Sequence, residues 1–365
     1  MDDTKVYKAE KIFTGTSWLH DYSVVTKNGI IDKVIPSSTV AEDMNATPTH
    51  LLAPAFIDLQ IYGAQKKLFA VYPNTDSLYK LNEYCNGGGA AYCLPTAATN
   101  TIDVFYKCID AIRDYWNKGG EGILGLHIEG PWLNPVKKGA HPESLIHAPD
   151  ITEVKELIEY GKSVIKIITL APEVCSQEVI DLILSEKIII SAGHSNATYI
   201  QAMRAFDKGI KTATHLFNAM SPLQHREPGL VGAIMNNESV MCSIIADGYH
   251  VDYEAIRTAK KIMGSRLFAI TDAVTETSEG YYQHYMAGNK YEASGILSGS
   301  ALTMFKSFQN LINHTGIEME EAFRMCSLYP AQVMGLENEL GKIEEGFKAK
   351  MILMNEKMEL VQLTS

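Results

Sequence analysis

Several residues with acid, base or metal-binding side chains stand at the ends of short apolar runs. Glu129 ends one such run, His194 and His215 end two others, and Asp272 ends a fourth. Neutral imidazole nitrogens and a carboxylate oxygen suit zinc or iron, and a catalytic site keeps one position open for water. These residue types predict a metal held by Glu129, His194 and His215, with Asp272 beside it as a general base.

Local spacing supports this centre only weakly, because no pattern such as His-Glu-x-x-His is present. One histidine at a strand end is usually a capped or solvated side chain, and Asp272 alone could be a turn residue. The position of the whole set is more informative, since Asp58, His127 and Asp247 also lie near the ends of apolar runs. Active sites of barrels are assembled at the C-terminal ends of their strands, so these residues together indicate an active site.

The elements that would position these side chains follow a regular pattern. Apolar runs alternate with stretches of helical spacing such as 151–162 and 198–209, which is typical of βαβ units. The eight apolar runs cover 51–60, 90–98, 122–130, 163–173, 187–195, 211–217, 240–248 and 266–273. Their continuous apolar character favours parallel strands buried on both faces. The sequence therefore predicts an α/β fold, a (β/α)8 TIM barrel.

Both ends of the chain read differently from the middle. The first fifty residues resemble short strands, with Asn28-Gly29 as a hairpin signal. After helical segments at 301–316 and 320–335, the tail returns to short strands and turns. We expect residues 1–52 and 337–365 to form a small β-sandwich domain beside a barrel of residues 53–336.

Bulk properties exclude several classes of protein. The 365 residues exceed the roughly 250 that a barrel needs, and a net charge of −11 argues against a non-specific nucleic-acid binder. There is no apolar run long enough to span a membrane, and the charged start is unlike a signal peptide. Six scattered cysteines without a C-x-x-C pair fit reduced thiols. We expect a cytoplasmic protein without nucleic-acid or membrane partners.

Longer motifs surround the candidate residues and keep one order along the chain. They are GLHIEGPWLNPVKKGAHP, SAGHSNATY, THLFNAMSPLQHREPGLVGA, ADGYHV, TDA and LSGSALTM, between about Ala53 and Met304. With these motifs the chain resembles the amidohydrolase superfamily and, within it, the deacetylases of N-acetylglucosamine 6-phosphate. H-x-E-G-P with G-A-H-P, and T-H-x-x-N-A-M with R-E-P-G, are specific to that deacetylase branch.

The resemblance implies further roles beside the metal ligands and Asp272. It implies that His141 helps to polarise the acetyl carbonyl, and that Asn218 and Ala219 contact the phosphate or the sugar. Arg226 and His250 are similar to the family's phosphate and sugar ligands, and a guanidinium can bind phosphate through two hydrogen bonds. In this family one such residue can reach across a dimer interface, so a homodimer is expected.

The chain departs from many amidohydrolases after the first strand, where Gln60 and Tyr62 replace an H-x-H pair. An amide oxygen is a poor metal ligand and a phenol is neutral until high pH. We therefore expect one divalent metal rather than two, with zinc as the first choice and iron, manganese or cobalt as alternatives. Gln60 fits the single-metal deacetylases and is expected to contact substrate. Tyr62 stands where those deacetylases have Asn, and it could narrow the pocket.

The resemblance implies removal of the N-acetyl group from N-acetylglucosamine 6-phosphate, giving glucosamine 6-phosphate and acetate. Asp272 would carry a proton from the metal-activated water to the departing amine. One alternative is a related amidohydrolase for another N-acyl amino sugar, such as N-acetylgalactosamine 6-phosphate. Another is a non-catalytic barrel that binds a sugar phosphate. The role of His127 stays open between a pocket residue and a packed core histidine.

Overall fold

Strands and helices alternate through most of the chain. The computed structural model describes residues 3–41, 46–293 and 295–364. In chain order its strands are β1 (Thr4–Phe13), β2 (Trp18–Lys27), β3 (Ile30–Pro36), β4 (Ala46–Pro54), β5 (Phe56–Ile61), β6 (Gly63–Ala64), β7 (Lys67–Leu68), β8 (Ala90–Ala98), β9 (Leu126–Glu129), β10 (Ile165–Leu170), β11 (Ile189–Ala192), β12 (Thr212–Ala213), β13 (Met241–Ile245), β14 (Leu267–Ile270), β15 (Tyr285–Ala287), β16 (Lys290–Ala293), β17 (Ile296–Ser300), β18 (Met351–Met354) and β19 (Leu360–Leu363). Its α-helices are α1 (Thr75–Gly87), α2 (Ile102–Asn117), α3 (Ile151–Tyr160), α4 (Gln177–Ser185), α5 (Tyr199–Asp207), α6 (Gly229–Asn236), α7 (Tyr253–Met263), α8 (Met304–Thr315), α9 (Met319–Cys326) and α10 (Leu328–Val333). Single turns of 3-10 helix cover Ser37–Thr39, Pro135–Lys137, Glu143–Leu145, Pro172–Val174 and Gly264–Arg266.

Eight parallel strands form the central sheet in the order β14-β13-β12-β11-β10-β9-β8-β5. Each contains or overlaps one of the apolar runs, which confirms the predicted (β/α)8 barrel. The first run was wrong as a single strand, because residues 51–60 cover the end of β4 and most of β5. Both strands are buried there, so hydrophobicity does not change where the chain passes from one sheet to the other.

The first and last barrel strands meet and close the ring. Asp272 N donates to Gln60 O at 2.9 Å, and Tyr62 N donates to Ala273 O at 2.9 Å. The buried carboxylate of Asp58 adds a second link, since it accepts hydrogen bonds from the backbone N–H and the hydroxyl of Thr271. This closure brings β5 beside the segment that carries Asp272.

Helix starts are set by local side chains. Thr198 and Gln201 form a capping box at the start of α5, and Asp150 accepts hydrogen bonds from the first turn of α3. The apolar face of α5, with Ala202 and Phe206 buried, packs towards the barrel. Such amphipathic helices cover the outside of the strands, which lets the strands themselves be apolar on both faces.

Both ends of the chain build a six-stranded sheet in the order β19-β18-β4-β1-β2-β3. One face encloses a small core that includes Tyr7, Leu52 and Phe347, while Phe13 and Ile352 belong to the barrel's core. This sheet confirms the predicted β-sandwich domain made from the two ends. The division of the chain at residues 52 and 337 stays a prediction.

Two hairpins have two-residue turns with a sequence signal. Asn28 and Gly29 join β2 to β3 with φ angles of 51° and 76°, as a type I′ turn requires. Gly288 and Asn289 join β15 to β16 in a three-stranded sheet with β17. We did not predict this sheet, although Gly-Asn is a known hairpin pair.

Among the described residues, no helix combines the length and the apolar character needed to cross a membrane.

Candidate metal centre and active site

A cavity of about 170 Å³ opens at the C-terminal ends of the barrel strands. Glu129 lies at the end of β9, His194 follows β11 by two residues and His215 follows β12 by two. Asp272 follows β14 by two residues, and all four side chains are buried and line the cavity. The barrel therefore brings the four residues together at one mouth, as expected for active sites of this fold.

Three ligand atoms converge in a small triangle. Glu129 Oε1 lies 3.3 Å from His194 Nε2 and 3.2 Å from His215 Nε2, and the two nitrogens are 3.1 Å apart. Ligand atoms on a tetrahedral zinc lie roughly 3.3 Å apart when the metal–ligand bonds are about 2.0–2.1 Å long. The size of the triangle therefore fits a single metal ion.

His141 approaches the same carboxylate from another side. Its Nε2 lies 3.3 Å from Glu129 Oε2, and ligand atoms of Glu129, His141 and His194 lie within 4.8 Å of one another. His141 approaches Oε2, whereas His194 and His215 both approach Oε1, at 3.3 and 3.2 Å. The atoms that surround Oε1 are therefore the better match to a single tetrahedral ion.

Two of the three proposed ligands have the protonation state of a metal ligand, whereas for His215 the effect of burial is outweighed by the hydrogen bond to Glu129, which raises the pKa of the imidazole. Burial lowers the pKa of His194 to about 4, so this imidazole stays neutral, and its Nδ1 donates to Lys137 O at 2.9 Å, which leaves the Nε2 lone pair free. Burial alone would raise the pKa of Glu129, but His194, His141 and His215 together hold it well below its usual value. Neutral imidazole and ionised carboxylate are the ligand forms that bind metals.

Asp272 is connected to the ligand carboxylate through Gln60. Gln60 Nε2 lies 2.8 Å from Asp272 Oδ1 and 3.0 Å from Glu129 Oε1. Burial raises the pKa of Asp272 above its ordinary value, with His215 acting in the opposite direction. A carboxyl group that takes up protons more readily than usual is suited to general acid–base work.

The backbone turns sharply at the residues that reach the cavity. His194, His215 and Asp272 have φ angles of 46°, 38° and 55°, and Ala219 has 50°. Left-handed φ values are uncommon for residues other than glycine and cost of order 1–3 kcal/mol where they are unfavourable. Their clustering at one mouth indicates that the surrounding structure imposes this conformation to direct the side chains inward.

His250 is held by a neighbouring carboxylate. Asp247 follows β13 by two residues, and its Oδ2 accepts a hydrogen bond from His250 Nδ1 at 2.6 Å. Its Oδ1 accepts from the backbone N–H groups of Tyr249 and His250, both at 2.8 Å. The imidazole therefore presents Nε2 to the cavity, which Asn218 and Ala219 also line.

Two predicted substrate contacts lie elsewhere. Gln60 is buried and bonded to Tyr62, Glu129 and Asp272 rather than lining the cavity. Arg226 is exposed in the loop before α6 and is also outside the cavity lining. No lysine or arginine lines the cavity in the part of the chain that the structure describes.

His127 lies inside the barrel. Its Nδ1 donates to Leu59 O at 3.0 Å and its Nε2 lies 2.8 Å from Thr169 Oγ1. Burial lowers its pKa to about 4, so the imidazole is neutral. Both nitrogens are bonded to the barrel interior, which favours the packed core histidine over the pocket residue.

The sequence did not point to two residues of the cavity wall. Tyr282 Oη lies 3.3 Å from His141 Nδ1 and donates to Thr99 O, and His284 Nδ1 lies 2.9 Å from Ser298 Oγ. Both residues lie just before β15, the first strand of the β15–β17 sheet, and both line the cavity. The Gly288-Asn289 hairpin pair is the sequence feature that could have predicted this sheet.

Comparisons with known proteins show which family the chain belongs to. A sequence model of the amidohydrolase family matches residues 51–363. The N-acetylglucosamine-6-phosphate deacetylase of Haemophilus influenzae is 34% identical over 96% of this chain and 95% of its own length. The N-acetylgalactosamine-6-phosphate deacetylase of Escherichia coli O157:H7 is 30% identical over 99% of this chain and 97% of its own. The crystal structure of N-acetylglucosamine-6-phosphate deacetylase from Pasteurella multocida has 33% identity and a TM-score of 0.94, covering 99% of this chain and 98% of that one. The chain belongs to the amidohydrolase family.

Proposed function

We propose that this chain removes the acetyl group from N-acetylglucosamine 6-phosphate, giving glucosamine 6-phosphate and acetate. The observation that carries the proposal is the triangle of Glu129 Oε1, His194 Nε2 and His215 Nε2, 3.1–3.3 Å apart, with Asp272 linked to it by Gln60. The relatives from Haemophilus influenzae and Pasteurella multocida bear the name of this deacetylase.

Glu129, His194 and His215 would hold one divalent metal, and zinc suits two nitrogens and one oxygen. When bound, such a metal supplies Lewis acidity to water and to the acyl oxygen. Asp272 takes the proton that the attacking water loses and then gives a proton to the departing amine nitrogen. His141, with Nε2 at the cavity, donates a hydrogen bond to the acyl oxygen as it gains negative charge.

The substrate's phosphate would be bound with help from a second subunit. Within the cavity, His250, Asn218 and the backbone of Ala219 offer polar contacts. Arg226 is exposed on the same chain, and its loop also exposes 54% of Leu223, while Tyr249 beside His250 is 51% exposed. We propose that these apolar side chains lie in the interface of a symmetric homodimer and that each Arg226 reaches its neighbour's cavity.

The galactosamine epimer is the second candidate substrate. It is favoured by the Escherichia coli relative, named for that substrate and 30% identical over 99% of this chain. Both substrates present the same amide and phosphate, so the metal triangle does not distinguish them. The free cysteines fit a cytoplasmic location for either reaction.

Turnover on the two phosphorylated sugars, with elemental analysis of the same sample, tests the proposal. We expect acetate release from N-acetylglucosamine 6-phosphate with the higher kcat/KM, and about one metal ion per chain. A preference for the galactosamine epimer would replace the first candidate with the second. No turnover and no bound metal would contradict both and favour a sugar-phosphate-binding barrel.

A further inference from the structure

We infer that Tyr62 is a positioning residue that restricts Glu129 to a single ligand oxygen, an inference that rests on the proposed metal site. Tyr62 Oη donates to Glu129 Oε2 at 2.5 Å and lies 2.7 Å from Gln60 Nε2. The other carboxylate oxygen, Oε1, is the one that faces His194 and His215. The two oxygens of Glu129 therefore have separate partners.

The hydroxyl is held in place by its surroundings. Tyr62 is buried in a cluster with Leu68, Val274 and Tyr282, so its ring has little freedom to turn away. His141 Nε2, 3.3 Å from Oε2, approaches the same oxygen. Tyr62 is the partner that stays on Oε2 when His141 turns its Nε2–H to the substrate, because the Tyr62 hydroxyl already donates to this oxygen.

This arrangement has a chemical consequence at the metal. A carboxylate can bind an ion through one oxygen, chelate it through both, or bridge two ions. Because Oε2 is engaged by Tyr62, chelation or bridging would break a short, charge-assisted hydrogen bond. Groups that hydrogen-bond to metal ligands commonly change metal affinity 10- to 100-fold when removed. Tyr62 therefore sets how Glu129 binds, without touching the ion.

Tyr62→Phe removes the hydroxyl and keeps the ring. Tyr291→Phe is the matched control, because Tyr291 is buried in the same cluster and, within the described part of the chain, is not among the hydrogen-bond partners of Glu129. We expect zinc affinity, measured by competition with a chelating dye, to fall by about 10-fold in Tyr62→Phe and to stay unchanged in Tyr291→Phe.

The cobalt(II) form gives a readout that a general loss of packing would not move. Four-coordinate cobalt absorbs visible light more strongly than five- or six-coordinate cobalt. If Glu129 becomes free to chelate, the visible absorption of cobalt-loaded Tyr62→Phe should fall while circular dichroism stays the same. If Tyr62→Phe does not fold, Tyr62→Leu frees the same oxygen and takes its place.

Unchanged zinc affinity together with an unchanged cobalt spectrum in a folded Tyr62 variant would overturn this role. These measurements need no substrate, so the identity of the sugar does not affect them. Failure of the original protein to bind any metal would instead overturn the proposed function, and this inference with it.

Discussion

Asp272 is the residue through which both proton transfers of the proposed reaction pass. Asp272→Asn keeps the size and the hydrogen bond to Gln60 Nε2 through its amide oxygen, but it cannot take up a proton. We expect acetate release to fall by about 10²- to 10⁴-fold with metal content unchanged. A metal-loaded Asp272→Asn protein that deacetylates at the normal rate would contradict the assignment.

Asp247 is proposed to affect substrate binding only through His250, to which it is hydrogen-bonded. Asp247→Asn can still accept the backbone hydrogen bonds of Tyr249 and His250, but it holds the His250 imidazole less firmly. We expect KM to rise by about 3- to 10-fold with little change in kcat, because His250 is proposed to bind substrate rather than to react. Steady-state kinetics separate the two constants, and a loss confined to kcat would refute this role.

The sequence predicted the position of some site residues but not of others. Glu129, His194, His215 and Asp272 could be found because parallel strands end at one mouth, so position along the chain predicts proximity. Arg226 could not be placed, since its motif says nothing about which way an exposed loop faces. Tyr62 was noticed as a departure, but its bond to Glu129 depends on how near the ends of β5 and β9 lie, with β8 between them.

At the scale of elements, Glu173 joins three loops at the cavity mouth. Its carboxylate accepts hydrogen bonds from Ser195 Oγ at 2.7 Å, Asn196 N at 2.6 Å and Asn134 Nδ2 at 3.0 Å. Ser195 and Asn196 directly follow His194, whose left-handed backbone needs support from its neighbours. Glu173 therefore fixes the loop that carries a proposed metal ligand.

Glu173→Ala should loosen that loop. We expect zinc affinity to fall by about 10-fold and the free energy of unfolding to fall by about 1–3 kcal/mol, because three donors lose their partner. Glu178→Ala, which removes an exposed acidic residue in the first turn of α4, is the control; it should leave zinc affinity unchanged and lower the free energy of unfolding by at most about 0.3–1 kcal/mol through the helix dipole. Chelator competition and thermal melts measure the two effects, and equal behaviour of both variants would count against this role of Glu173.

The order of elements could be predicted further than their lengths. The runs located every barrel strand, because burial on both faces requires continuous apolar sequence. The run 211–217 could not show that β12 has two residues, because the chain turns at His215 while the sequence stays apolar. The β15–β17 sheet was missed because its residues are half exposed and carry no long apolar run.

For the whole molecule, the metal should stabilise the fold. The triangle places Glu129 and two imidazoles together in a buried site, and a ligand bound to the native state at 100–1,000 times its Kd adds roughly 2.7–4.1 kcal/mol. We expect a chelator to lower Tm and added zinc to restore it, as differential scanning fluorimetry can measure. A Tm that does not respond to either treatment would oppose a structural contribution from the metal.

Mixing two inactive variants tests whether Arg226 serves the neighbouring cavity. Arg226→Ala and Asp272→Asn are each expected to be poorly active alone. Subunit exchange would create hybrid dimers with one intact site, so activity should recover to about a quarter of the original. Activity that stays at the sum of the two parents would place Arg226 at its own chain's site.

The small sheet can be completed only late in the synthesis of the chain. β4 pairs with β1 on one side, but on the other side residues 51–54 pair with residues 351–354 of β18. All residues of the barrel are therefore synthesised before that edge of β4 can pair with β18. An open edge strand invites pairing with other chains, and contacts so distant in sequence form slowly. A chain cut short before β18 should aggregate even though every proposed metal ligand is already present.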